Sequence, residues 1–348
     1  MKRTLIVFLV LIGVMVVAMG GVAVLCYQQI KNKAWMPQDT WIYVRSDDTV
    51  EAVLLQLEEA GGAVDAWNFT AASRLFGLDD ALKRGVAGAY HLKQGMSAGE
   101  VVRKVTHHQQ DPVSLTFIGT RTLPELAGKM SHQLEADSLS ILQAMYDEEF
   151  LAEVQLDKAN ISAIFLPDTY QTYWNVSPKR LMQRLWSEYK KFWNEERQQA
   201  CAALKITPLQ AVILCSIAEE ETADRQERGV VARLYWNRLQ RGMPLQADPT
   251  VKYAVGDFQL RRILNKHLKV QSPYNTYLHA GLPPGPIRVV EKATIEALLR
   301  SKPHKYLYMC AKEDFSGLHN FATTIREHNK NAARYHKALR DNHIRNCR

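Results

Sequence analysis

Three consecutive carboxylates, Glu219, Glu220 and Glu221, stand at the end of an apolar helical pattern, an arrangement suited to acid–base chemistry. A carboxylate held among apolar residues is costly unless it is paired, hydrogen-bonded or kept for proton transfer. A second group of polar residues follows: Gln246, then Asp248-Pro249-Thr250 and Tyr253, then Tyr274-Asn275-Thr276, and finally the run Gly281-Leu282-Pro283-Pro284-Gly285-Pro286. Loops stiffened by Pro and Gly, carrying amide, hydroxyl and aromatic groups, are of the kind that line polar sugar clefts. Gln246, Asp248, Tyr253, Tyr274, Asn275 and Thr276 are therefore the candidate substrate-binding residues. The plainer alternative is a solvated acidic helix end. Acids there oppose the helix dipole by about 0.3–1 kcal/mol each, a local penalty that a working site tolerates.

The elements that must position these groups are legible nearby. Thr207 followed by Pro208 is a strong helix start, and Leu209, Val212, Ile213 and Ile217 mark a buried stripe at helical spacing. On that wheel Glu220 and Glu221 fall along the two edges of the stripe, and Glu219 is turned further outward. Periodicity thus leaves Glu220 and Glu221 both open as the acid. Asp224 with Glu227 forms an acidic capping box for a second helix, whose stripe is Val231, Leu234, Tyr235 and Leu239 and whose end lies near Gly242. Two helices joined so tightly hold the carboxylates at their junction.

The chain of 348 residues, 47% hydrophobic and 23% charged, has the composition of a globular protein with two or three modules rather than of a disordered one. A net charge of +8 suits nucleic acid, an anionic membrane surface or an acidic polymer. The absence of zinc-finger spacing, of an RNA-binding aromatic signature and of long Lys/Arg runs argues against nucleic acid. Cys26, Cys201, Cys215, Cys310 and Cys347 are widely separated and lack CxxC spacing, so neither a disulfide framework nor a zinc site is indicated.

After Lys2 and Arg3, about 24 residues from Thr4 to Tyr27 carry no charge. As a helix they span roughly 36 Å, enough for a hydrocarbon core of about 30 Å. A cleaved signal peptide has a shorter apolar region and a small-residue cleavage site, whereas this stretch ends in Leu25, Cys26 and Tyr27, so an uncleaved anchor is expected. Lys31 and Lys33 balance Lys2 and Arg3 closely, so charge alone leaves the orientation open.

The sequence predicts an α+β protein: a tail and transmembrane helix over 1–27, a linker over 28–40, a small α+β module over 41–118 and a mixed α+β domain over 119–348. In the module, Trp41–Val44 reads as a strand, followed by a helix carrying Val50, Val53, Leu54 and Leu57 that is stopped by Gly61 and Gly62. A helix over Asp65–Phe76, a strand over Gly88–Leu92, a helix capped by Ser97 and Glu100, and a strand over Val113–Phe117 complete it. Two strands separated by a pair of short helices resemble a LysM-like module, a type that recognises the peptidoglycan backbone. Residues 122–189 read as mostly helical, interrupted by Phe165–Tyr170, with Trp186, Tyr189, Phe192 and Trp193 as core.

Several ordered motifs carry a resemblance. Glu219-x-Glu221-Thr222, Asn237-Arg238-Leu239, Gly242-Met243-x-Leu245-Gln246-x-Asp248-Pro249-Thr250, Tyr274-Asn275-Thr276-Tyr277, Tyr306-Leu307-Tyr308, His319-Asn320-Phe321 and Glu327-His328-Asn329 resemble those of the endolytic murein transglycosylases, the YceG-like or MltG proteins. The resemblance implies a single-pass inner-membrane enzyme with its catalytic domain on the periplasmic side. It implies cleavage of the β-1,4 bond between MurNAc and GlcNAc within peptidoglycan strands, a 1,6-anhydro-MurNAc end, no metal or cofactor, cell-wall synthases as partners, and a role in ending nascent strands. The catalytic residue it implies is the second Glu of Glu-x-Glu-Thr, Glu221. The competing reading is an anchored peptidoglycan-binding scaffold without catalysis. The chain departs from the family pattern in three places: Glu220 stands where Lys is usual and would push the pKa of Glu221 upward; Ile287-Arg288-Val289-Val290 follows Pro286 where Asn-Pro is common; and Ile118 precedes Gly119 where an acid is common.

Overall fold

The apolar N-terminal stretch is helical, but the helix does not end where the polarity rises. α1 spans Lys2–Asn32 in the computed structural model, which describes residues 2–61, 65–260 and 262–342. Among the described residues it is the one helix long and apolar enough by itself to cross a membrane, and Ile6 to Leu25 are largely exposed along it. The expected linker over 28–40 is partly structure: Ile30 and Met36 are buried with the module core, and Trp35 and Met36 donate their N–H groups to the Met96 carbonyl. Short apolar contacts inside a polar stretch leave little periodic signal.

The chain divides into two compact units. The first comprises residues 1–115 with two returning segments, 133–135 and 170–176. β1 (Thr40–Val44) pairs antiparallel with β2 (Gly88–Leu92), bringing Thr40 opposite Leu92 and Val44 opposite Gly88. Between them lie α2 (Val50–Gly61), α3 (Ala66–Phe76) and α4 (Leu78–Arg84), three helices where two were expected. Gly77 and Gly85, both left-handed, bracket α4, whose two turns are too short to show a periodicity. Gly62, one of the expected stops of α2, lies outside the described residues. α5 (Ala98–Thr106) begins with the expected Ser97–Glu100 capping box. The core gathers Ile42, Val44, Leu57, Phe69, Tyr90, Leu92 and Val102. The returning segments are tied in by polar contacts: Glu135 accepts from Ser46 N–H and Oγ at 2.8 Å, and Asn175 Nδ2 donates to the Ala87 carbonyl at 2.6 Å. A cut at residue 118 therefore does not describe this unit, because its edge is built by residues that come much later in the chain.

β3 (Val113–Phe117) and β4 (Asp168–Thr172) pair with each other, and along both the chain passes between the units. The second unit is mainly helical: α6 (Leu123–Ser131), α7 (Ser138–Met145), α8 (Glu148–Val154), α9 (Pro178–Phe192), α10 (Glu195–Ala203), α11 (Pro208–Glu221), α12 (Arg225–Gln240), α13 (Asp248–Val255) and α14 (Lys292–Leu299). A hairpin of β5 (Tyr308–Ala311) and β6 (His319–Ala322) and the final α15 (Ile325–Asp341) complete it. α11 is its central element, starting on a Thr207–Gln210 capping box with Pro208 in the first turn. Every residue from Ala211 to Glu219 is buried, so α11 has no solvent face over that span. The apolar stripe expected from its spacing was only the most hydrophobic part of a helix packed by α12, α13 and α14.

Candidate active site

α11 ends at Glu221 because Thr222 is extended, at φ −132° and ψ 133°. Thr222 is buried; its hydroxyl receives the Asp224 N–H at 3.1 Å and approaches Glu227 at 3.4 Å. Asp224 caps α12 by accepting from Gln226 and Glu227 N–H groups. Glu227 in turn accepts from the His319 backbone and faces its Nδ1, both at 2.8 Å, which secures the junction against β6. This tight turn sends α12 back beside α11. Tyr235 consequently reaches Glu221, donating its hydroxyl to Oε1 at 2.5 Å.

The triplet separates into three environments. The Glu219 side chain is fully buried, which corrects the outward position expected from the helical wheel. It lies 3.0 Å from Arg288 Nε and 3.7 Å from Arg228 Nη1, and accepts the Glu291 N–H at 2.9 Å. Burial raises its pKa, opposed by the Thr294 hydrogen bond and the two arginines. The wheel failed here because an angle around α11 does not tell which neighbours cover it. Glu220 is matched by Arg121, which donates from Nε and Nη2, and by Arg288 Nη1 at 3.0 Å.

Glu221 is different: among the described residues no cation lies within ion-pair distance of it. Burial pushes its pKa up to about 7, the Tyr235 hydrogen bond pulls it down, and the charges of Asp248 and then Glu220 push it up. The charge of Glu220 is the last of these causes, and removal from water is the first.

Glu221 and Asp248 together form the line where two hollows meet. One, of about 410 Å³, is lined by Tyr235, Arg238, Gln246, Tyr277 and Tyr308; the other, of about 330 Å³, by Glu220, Pro249, Lys252, Arg262 and Ile263. The result is a trough running past Glu221 on both sides. Asp248 opens α13 and accepts the Tyr277 hydroxyl at 2.6 Å. Gln246, at φ +50°, accepts from Arg238 Nη2 at 3.0 Å.

Of the candidate binding residues, Gln246 and Asp248 are on the trough wall and Tyr253, Tyr274, Asn275 and Thr276 are not. Asn275 and Thr276 are buried: Asn275 Nδ2 donates to the Leu268 and Val270 carbonyls at 2.9 Å, while Thr276 Oγ1 bonds Thr250 Oγ1 at 2.8 Å and receives the Ala247 N–H. Tyr274 donates to the Ala159 carbonyl at 3.0 Å and packs on Tyr253, with ring centroids 4.7 Å apart. These four residues hold the loops that carry the wall. Polar residues in a stiff loop serve buried loop-to-loop bonding as readily as a ligand, and sequence does not separate the two. On the larger hollow, the polar and aromatic wall residues missed by sequence reasoning are Tyr235, Arg238, Tyr277, Tyr308 and His328. All but Tyr235 belong to motifs that carry the resemblance; Tyr235 was hidden in the apolar stripe of α12.

The model of the YceG-like family matches residues 42–334. An endolytic murein transglycosylase of Bacillus subtilis (strain 168) is 28% identical over 269 residues, spanning 72% of this chain and 72% of the relative. A protein of the same description from Streptococcus pneumoniae serotype 2 is 25% identical over 283 residues; the match covers 72% of this chain but 50% of that relative. Among solved structures, a YceG-like protein of Listeria monocytogenes matches 84% of this chain and 98% of its own, with a TM-score of 0.56 and 25% identity.

Proposed function

Since this chain belongs to the YceG-like family, we propose that it is a membrane-anchored lytic transglycosylase that cuts peptidoglycan glycan strands internally. The bond is the β-1,4 link between MurNAc and GlcNAc, and the product end is 1,6-anhydro-MurNAc. The observation that carries this reading is Glu221, a carboxyl whose pKa burial brings to about 7, in the shared wall of two adjoining hollows. A strand can lie across such a trough without presenting an end, as internal cutting requires.

The chemistry fits one carboxyl acting twice. Protonated Glu221 gives its proton to the glycosidic oxygen as the C1–O bond breaks. The resulting carboxylate then takes the proton of the C6 hydroxyl of the same sugar, whose oxygen closes on C1. An ordinary glycosidase needs a second carboxylate to activate water or to attack the sugar; here the substrate supplies its own nucleophile. Tyr235 positions Glu221 and favours its anionic form, while the charge of Asp248 favours the acid form and complements positive charge developing at C1. α1 serves as the anchor, with the second unit on the extracytoplasmic side, where the substrate lies. Neighbouring cell-wall synthases and the ending of nascent strands belong to the same reading.

The acid form of Glu221 is lost as pH rises through about 7, so kcat/KM is expected to fall above that pH. Tyr235→Phe removes a donor to the carboxylate, which raises the pKa; the upper limb of the pH–rate profile is expected to move to higher pH while the maximal rate drops. An upper limb that stays in place would remove Tyr235 from the proton chemistry.

A hydrolase is the second reading, favoured by one observation: Asp248 is a second carboxyl beside Glu221 on both hollows. Mass spectrometry of products from murein sacculi separates the two. The transglycosylase leaves muropeptides lighter by one water and without a reducing end; hydrated reducing ends would establish the hydrolase, and no release at all would favour a binding scaffold.

A further inference from the structure

The two sides of the trough differ in charge. On the larger side the cationic groups are occupied or neutral. Arg238 donates to Gln246 and to the Pro244 and Leu307 carbonyls, and burial together with Arg238 lowers the pKa of His328. Apart from Gln246 and the shared Glu221 and Asp248, the rest of that wall is aromatic or apolar, including Tyr277, Tyr308, Met309 and Ile325. The smaller side carries Lys252, one turn beyond Asp248 on α13, and Arg262. Among the described residues neither has an ion-pair partner within 4 Å, whereas the nearby Arg121 and Arg288 are committed to Glu220. The acids that share the smaller hollow are already served: Glu220 by those two arginines, Asp248 by Tyr277, and Glu221 by Tyr235. Lys252 and Arg262 are thus the donors left open to a ligand.

We infer that the hollow flanked by Lys252 and Arg262 is a subsite for carboxylates of the stem peptide on the sugar that becomes the anhydro end. This rests on the function proposed above. In the strand only MurNAc bears an acidic peptide, and the MurNAc nearest the cut is the one attacked at C1. GlcNAc carries no acid and suits the aromatic side, where sugar faces pack on rings. The asymmetry therefore sets the direction in which the strand crosses Glu221, and it makes the enzyme prefer glycan whose stems keep free carboxylates.

The test is binding by the full chain in a catalytically silent Glu221→Gln background, with and without Lys252→Ala and Arg262→Ala. The probes are glycan oligomers bearing stem peptides and the same oligomers stripped of them by an amidase. Loss of the two cations is expected to weaken binding of stem-bearing glycan roughly three- to tenfold, the scale of one or two exposed ion pairs, and to leave stem-free glycan unchanged. The preference for stem-bearing glycan should also shrink as salt is raised. Equal weakening of both ligands, or no change in either, would overturn the subsite. Because the readout is binding, it stands apart from the product-mass test of the reaction itself.

Discussion

Glu221→Gln is expected to lower the release of anhydro-muropeptides from sacculi by at least about 10²–10⁴-fold, the usual contribution of a positioned acid–base group. The substitution keeps the shape of the side chain, and its amide oxygen can still accept from the Tyr235 hydroxyl. It removes an ionisable group that burial already disfavours in its charged form, so the fold should be retained and the unfolding midpoint nearly unchanged. Glu220→Gln is the informative control, because Glu220 is matched by Arg121 and Arg288. It should keep most of the activity. A Glu221→Gln protein that cleaved as fast as the parent would refute the assignment, and a Glu220→Gln protein that lost everything would move it by one residue.

The second large effect concerns stability. Arg288→Leu is expected to destabilise the protein by about 3–5 kcal/mol, because the Glu219 carboxylate has no exposure and Arg288 is its closest cation. Urea unfolding followed by tryptophan fluorescence measures this. Arg288→Leu combined with Glu219→Leu should recover most of the loss, since removing both members of a buried pair costs far less than stranding one. A single variant within about 1 kcal/mol of the parent would mean that Arg228 and the Glu291 N–H suffice for Glu219. Arg288 also links two other parts of the chain. It pairs with Glu220, and a side chain at Gly119, next to Ile118, would collide with its guanidinium. In this chain the end of α11 is held by acids on the helix and arginines around it.

Local chemistry was readable in advance wherever it depended on neighbours in sequence. The Ser97–Glu100 box and the Thr207–Pro208 start formed as expected, because a cap is made by side chains reaching the backbone two or three residues away, and Asp224 caps α12; the second half of the expected Asp224–Glu227 box did not form, since Glu227 turns to the distant His319 and the Asp224 N–H goes to Thr222. α4 was missed for the converse reason, being too short to display a period. The long apolar run of α1 was legible too, but its polar end was not, since Ile30 belongs to the core only when α5 is beside it.

The sequence by itself determined the long apolar N-terminal helix, the helices on either side of the acidic triplet, and the motifs that mark the family. Tertiary structure decided the surroundings of each acid. Helical spacing gives the angle between side chains but not what covers each direction, and desolvation, pairing and hydrogen bonding all come from those covers. Hence Glu219 went inward to Arg288, Glu220 to Arg121 and Arg288, and Glu221 to Tyr235 on the open trough.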